Sequence, residues 1–227
     1  MKNILSTGSD ALDLLLEGGY EKGIITTLYG PASSGKTCSC MLAAISVVKE
    51  GKKVIFIDSE GGFSVERFKQ ITSDYENILN GILFLKPMNF IQQKEVFEKL
   101  KDIINEKIGL VIVDTISMLY RLELASAENG YNVNNALVQQ ISFLSEIARD
   151  KNIPVLLTNQ VYADFEDKTK VNMVGGDIMK YGSKCLIELR KDNFGRKAVL
   201  QKHRSIKEGK EVCFEIKNEG IIKATLL

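Results

Sequence analysis

The chain has 227 residues, 44% of them hydrophobic and 26% charged, with a net charge of +1. That balance excludes a disordered chain and a protein that holds polyanions through its overall charge. Four cysteines without a C-x-x-C pair and one histidine argue against a disulfide framework or a structural zinc site, and for reduced thiols.

In chain order, SDALDLLLEGG places Leu12, Leu15 and Leu16 at helical spacing behind a Ser9 or Asp10 cap, with Gly18 and Gly19 as the stop. IITTLY, residues 24–29, reads as a buried strand and residues 37–50 as a helix. Further strands are expected at 54–58, 81–86 and 110–114. Between the last two lies an amphipathic helix opened by Asn89, with Val96, Phe97, Leu100, Ile103 and Ile104 on one face. A helix over 135–151 and the strand PVLLTNQ follow. From residue 184 the helices stop, and CLIELRK, RKAVLQKH, EVCFEI and IIKATL read as consecutive, antiparallel strands. Short strands alternating with helices predict an α/β fold with a mainly parallel sheet, in one domain over residues 1–227. The polar stretches 126–134 and 164–176 read as long loops of functional interest. Residues 180–210 hold ten Lys or Arg against three acids, which predicts a basic face suited to polyanions. The opening MKNILSTGSD lacks the apolar core of a secretory leader, and no apolar run is long enough for a membrane span, so a cytoplasmic location is expected.

Between the first buried strand and its helix stands GPASSGKT: Gly30, Pro31, Ala32, Ser33, Ser34, Gly35, Lys36 and Thr37. This is the P-loop pattern in its required strand–loop–helix setting. Small residues let successive amides curl around a phosphate, and the helix turns its positive end to the same point. Lys36 supplies a point charge for the β- and γ-phosphates, and the Thr37 hydroxyl is a ligand for Mg²⁺. ATP with Mg²⁺ is the expected cofactor. Asp114, closing LVIVD, has the position of the carboxylate that orients the metal's water shell. Glu60, beyond VIFID, is the candidate general base for the water that attacks the γ-phosphate. Asn159 and Gln160 end PVLLTNQ at the same sheet edge, where neutral amides can sense the γ-phosphate. Lys202 and Arg204, two apart near a strand end, are expected to share a face. They suit either an ordinary basic surface or cations offered to a neighbouring subunit's nucleotide.

LSTGSDALDLLLEGG, the P-loop, FIDSEGGFSVERF, LVIVDTIS, LLTNQV and VGGDIMKYGSKCLIELRK, in this order over nearly the whole chain, resemble the ATPase core of the RecA/RadA superfamily of recombinases. The chain is most similar to RadB, the group of short archaeal RadA paralogues, and KHRS at 202–205 looks like that group. The chain opens at the ATPase core, so neither a helical N-terminal DNA-binding domain nor a Phe-x-x-Ala subunit hook is expected. The resemblance implies that Glu60, Lys36 and Gln160 act in hydrolysis and that Thr37 and Asp114 serve the metal. It further implies that 126–134 and 164–176 face DNA, with Arg121 just ahead of the first and Lys168 and Lys170 in the second. Few cations in those stretches shift attention to the basic C-terminal strands. The implied role is an ATP-binding accessory factor of DNA repair and homologous recombination, with weak ATP hydrolysis and no strand exchange of its own. Implied partners are single-stranded DNA, double-stranded DNA as a second form, RadA, a Holliday-junction resolvase and further copies of the chain. A complete filament-forming recombinase and a KaiC-like signalling ATPase are the alternatives. Gly175-Gly176-Asp177 favours the recombinase branch over the second.

Overall fold

The computed structural model describes residues 3–163, 171–192 and 195–224. A short antiparallel pair, β1 (Ile4–Leu5) and β2 (Tyr20–Glu21), brackets helix α1 (Asp10–Leu15). The Ser9 hydroxyl caps α1 and also donates to the Ile221 carbonyl at 2.8 Å, tying this helix to the far end of the chain. Then come β3 (Ile25–Tyr29), α2 (Lys36–Lys49), β4 (Lys53–Asp58), α3 (Val65–Ile71), α4 (Tyr75–Asn80) and β5 (Ile82–Leu85). Next are α5 (Phe90–Ile103), β6 (Ile108–Asp114), α6 (Ser117–Ser126), α7 (Gly130–Lys151) and β7 (Val155–Asn159). The described chain closes with β8 (Val161–Ala163), β9 (Val171–Met173), α8 (Gly176–Gly182), β10 (Cys185–Asp192), β11 (Gly195–Lys202), β12 (Glu211–Lys217) and β13 (Gly220–Lys223).

Among the described residues nine strands form one sheet, in the order β13-β12-β11-β10-β3-β7-β6-β4-β5. From β10 to β5 all neighbours are parallel, while β10 to β13 form an antiparallel meander. This is the mainly parallel sheet with antiparallel C-terminal strands that the sequence pattern predicts, in the RecA-like form that the resemblance implies. Central strands such as β3 and β7 are buried throughout, because helices cover both faces; hence their continuous apolar runs. One core joins α1 and α2 to the sheet, and the other joins α5, α7 and α8 to its opposite face.

The stretch expected as a loop over 126–134 is mostly helix. Ser117–Ser126 is helical, and α7 already begins at Gly130, behind an Asn129 side chain that accepts from the Tyr131 amide at 2.9 Å. Val133 is buried on the same stripe as Leu137, Ile141 and Leu144, so the apolar period starts earlier than the polar composition suggests. In the second stretch, β8 and β9 pair as an antiparallel ribbon, and residues 164–170 lie outside the described residues. Short helices α3, α4 and α8 were also unforeseen. Among the described residues no helix is long and apolar enough to cross a membrane.

Candidate nucleotide-binding site

The carboxyl ends of β3, β4, β6 and β7 meet beside the start of α2, the position at which parallel sheets bind ligands. Gly35 is the N-cap of α2, in a left-handed conformation (φ 113°), and among the described residues no side chain caps the helix. The first amides of α2 are therefore available to an anion. Gly30 is required by β10: a Cβ there would lie 2.2 Å from the Leu189 carbonyl oxygen. Beneath Gly35 lie the side chains of Ile216, Ile221 and Phe214, so the C-terminal strands support the phosphate loop. The Lys36 ammonium donates to the carbonyls of Gly30 (2.9 Å) and Pro31 (2.8 Å). Burial lowers its pKa, an effect that nearby Asp114 and Glu60 oppose. These bonds are ones that a phosphate can replace.

Asp58 and Asp114 are register partners at the ends of β4 and β6. Asp58 accepts from the amides of Gly62 (3.0 Å) and Phe63 (3.3 Å), and so folds the turn that carries Glu60. Phe63 anchors that turn by packing on Phe84 and Phe56, with ring centroids 4.6 and 5.3 Å away. One oxygen of Asp114 accepts from the Thr158 hydroxyl, while the other, Oδ2, is buried without a hydrogen-bond partner among the described residues. Burial raises the Asp114 pKa; the Thr158 and Thr37 hydroxyls hold it down, and Asp58 and Glu60 push it up. Gly62 keeps a space open here, since a Cβ on it would lie 3.6 Å from Thr37 Oγ1 and 4.0 Å from Asp114 Oδ2. A hydroxyl and an orphaned carboxylate oxygen beside a gap form an all-oxygen donor set, which fits Mg²⁺ travelling with a nucleoside triphosphate.

Glu60 reaches the same cleft, where its Oε1 accepts from the Gln160 side-chain amide at 2.8 Å. The Gln160 carbonyl accepts from the Val174 amide, and Asn159 donates its side-chain N–H to the Val174 carbonyl. The two amides at the end of β7 thus divide their work. Gln160 addresses the acid, and buried Asn159 secures the return of the β8–β9 ribbon.

The structure brings Lys36, Thr37, Glu60 and Asp114 into one cleft of about 650 Å³. Arg121 lies elsewhere, on α6, beside a hollow of about 520 Å³ that Tyr162 and Asn134 also line. Lys168 and Lys170 lie outside the described residues. Lys202 and Arg204 do not share one strand face, because β11 ends at Lys202 and Arg204 stands in the bend beyond. Lys202 donates to the carbonyls of Lys180 (2.6 Å) and Ser183 (2.8 Å), whereas Arg204 chelates the Glu21 carboxylate. The basic face is similarly tempered. Lys180, Arg190, Lys197 and Lys210 pair with Asp177, Glu188, Glu211 and Glu17. Two arginines of the cleft escaped the sequence reading, Arg67 on α3 and Arg196 on β11. Arg67 stands only a few residues beyond Glu60, a proximity that was available as a signal; Arg196 enters through strand pairing, which leaves no local motif.

A family model described as Rad51 matches residues 2–224. The DNA repair and recombination protein RadB of Methanobrevibacter smithii is 39% identical, with 94% of each chain covered. RadB of Methanococcus maripaludis strain C7 is 41% identical over 92% of this chain and 96% of its own. A solved structure described as "Crystal structure of the RadB recombinase" superposes with a TM-score of 0.83 at 34% identity, covering 98% of this chain and 100% of that one. With the family model spanning nearly every residue and these relatives matched almost end to end, the chain belongs to the Rad51 family, within its RadB group.

Proposed function

We propose that the chain is an ATP-binding, DNA-binding accessory protein of DNA repair and homologous recombination, built as one ATPase core, with feeble turnover and no strand exchange of its own. The observation that carries the nucleotide part is the orphaned Asp114 Oδ2 beside the Thr37 hydroxyl, next to an uncapped helix start. When bound, Mg²⁺ would neutralise phosphate charge. Lys36 would exchange its two loop carbonyls for phosphate oxygens, Thr37 and Asp114 would hold the metal, and Glu60 would take the proton of the attacking water. Gln160 keeps the Glu60 carboxylate aimed and links it to the ribbon after β7.

The placement of the remaining cations supports weak turnover in a lone protomer. Lys202 is six residues along β11 from Arg196, about 20 Å at 3.4 Å per residue. Neither Lys202 nor Arg204 reaches the γ-phosphate of its own chain, so a stimulating role for them requires a second copy. The pairing of the C-terminal cations with carboxylates supports modest, salt-sensitive affinity for single-stranded DNA. Double-stranded DNA, RadA and a Holliday-junction resolvase belong to the same reading as further partners.

The test is ATP turnover with and without single-stranded DNA, measured beside particle mass by sedimentation. Slow turnover and small particles support the accessory role. Long filaments with strongly stimulated turnover would replace it with a complete recombinase.

A further inference from the structure

We infer that Arg196 is a second cationic ligand, beside Lys36, for the phosphates that ATP and ADP share, and that it approaches from the flank of the P-loop opposite the acids. The inference rests on the nucleotide reading above and names a residue to which neither the motif nor the resemblance gave a role. Strand register supplies the geometry. Arg196 pairs with Phe214 across β11 and β12, and directly paired residues present their side chains to the same face of a sheet. The Phe214 ring lies 3.6 Å from where a Gly35 Cβ would stand, so that face is the one beneath the phosphate loop. In agreement, Arg196 Nε lies 3.4 Å from the Ser33 carbonyl oxygen, and the residue lines the cleft together with Lys36 and Thr37.

The other arginine of the cleft is already committed. Arg67 donates to the carbonyls of Lys217 (2.5 Å) and Asn218 (3.3 Å) and to Gln70 (2.8 Å). Arg196 makes only the long bond to Ser33 and has no carboxylate partner among the described residues, unlike its strand neighbour Lys197. A guanidinium offers five donors, and one weak bond leaves most of them for a phosphate. Charge agrees as well. Lys36, Arg67 and Arg196 line the cleft against Glu60 and Asp114, so without Arg196 the lining carries no net positive charge to offer a polyphosphate.

Topology decides which phosphates are met. In the sheet, β3 separates β10 and β11 on one side from β7, β6 and β4 on the other. Gln160, Asp114 and Glu60 all stand on the second side, and Arg196 on the first. Arg196 therefore grips what remains after hydrolysis as well as what precedes it, and does not report the γ-phosphate.

The test is direct binding of N-methylanthraniloyl-labelled ADP and ATP, with Mg²⁺, to the full chain and to Arg196→Ala, Arg196→Lys and Lys36→Ala. Thermal unfolding without nucleotide serves as a check on folding. The expected result is a roughly tenfold or greater rise in Kd for both nucleotides in Arg196→Ala, partial recovery in Arg196→Lys, and unchanged unfolding midpoints. Unchanged Kd values in Arg196→Ala beside a loss in Lys36→Ala would overturn the assignment while leaving the phosphate site standing. Loss for ATP alone would overturn the flank argument. Unchanged binding in Lys36→Ala would remove the site itself, and this inference with it.

Discussion

Asp114→Asn tests whether the cleft is shaped for a cation at a cost to the empty protein. In the native chain the Asp114 carboxylate is buried, one of its oxygens has no hydrogen-bond partner among the described residues, and Asp58 and Glu60 stand nearby. An unsatisfied buried group costs about 1–3 kcal/mol, more if charged. Asparagine keeps an oxygen that accepts from Thr158 and replaces the orphaned oxygen with an N–H that can donate to Thr37. Without nucleotide the variant is expected to be more stable by about 1–2 kcal/mol, roughly 2–8 °C in unfolding midpoint for a domain of this size. The sign of the pH dependence follows from the raised pKa. Ionised Asp114 is a burden above the ordinary value of 3.8, whereas below it the native carboxyl is protonated, so the advantage of the variant is largest near pH 7 and shrinks in acid. Adding MgATP reverses the ranking, because ligand at a hundred times its Kd stabilises the native chain by about 2.7 kcal/mol and the variant much less. Scanning calorimetry with and without MgATP at pH 7 and pH 4 reads all four states. A variant that melts below the native chain at pH 7 without nucleotide would refute the reasoning.

Three further outcomes are expected. Gln160→Ala removes the partner of Glu60 and lowers ATP turnover about tenfold with nucleotide affinity within twofold; in a double-mutant cycle with Glu60→Gln the two losses do not add, and full additivity would deny the coupling. Gly30→Ala drives a Cβ onto the Leu189 carbonyl, so it should destabilise the chain by about 1–3 kcal/mol in urea titration and abolish nucleotide binding; a fully active variant would show that this contact is not needed. His203 accepts from the Ser205 and Ile206 amides at Nδ1, and burial lowers its pKa from 6.5, with Arg204 adding to the effect and Glu21 and Glu17 opposing it. The neutral ring is favoured in the fold, so its stabilisation is present above about pH 6.5 and declines as pH falls below that value. His203→Asn, which can accept the same amides, should flatten the acid limb of the stability profile, and an unchanged limb would assign it to other groups.

Features encoded by neighbouring residues were legible in the sequence. The P-loop occupies eight consecutive residues, and Asp114 announces itself at the end of a continuous apolar strand. Glu60 was visible as an acid in a turn, but the forces that hold it there, the Asp58 carboxylate and the Phe63 ring, became apparent only in the packed structure. Polar composition misled at 126–134, where the Asn129 cap and buried Val133 extend α7 by more than a turn. The fate of the basic run was not legible at all. Lys210 meets Glu17 and Arg204 meets Glu21, pairs almost the whole chain apart that no local charge count anticipates. Arg196 was hidden for the same reason, since its place beside Ser33 depends on the register of β11 and β12.

The central claim is that one nucleoside triphosphate and its Mg²⁺ are held between the amides at the start of α2 and the Asp114 carboxylate. The most direct measurement is calorimetric titration of ATP into the native chain and into Lys36→Ala, each with Mg²⁺ and with a chelator. The account predicts one site per native chain, tight only when Mg²⁺ is present, and no measurable heat from Lys36→Ala. Equal affinity with the chelator, or in Lys36→Ala, would contradict it.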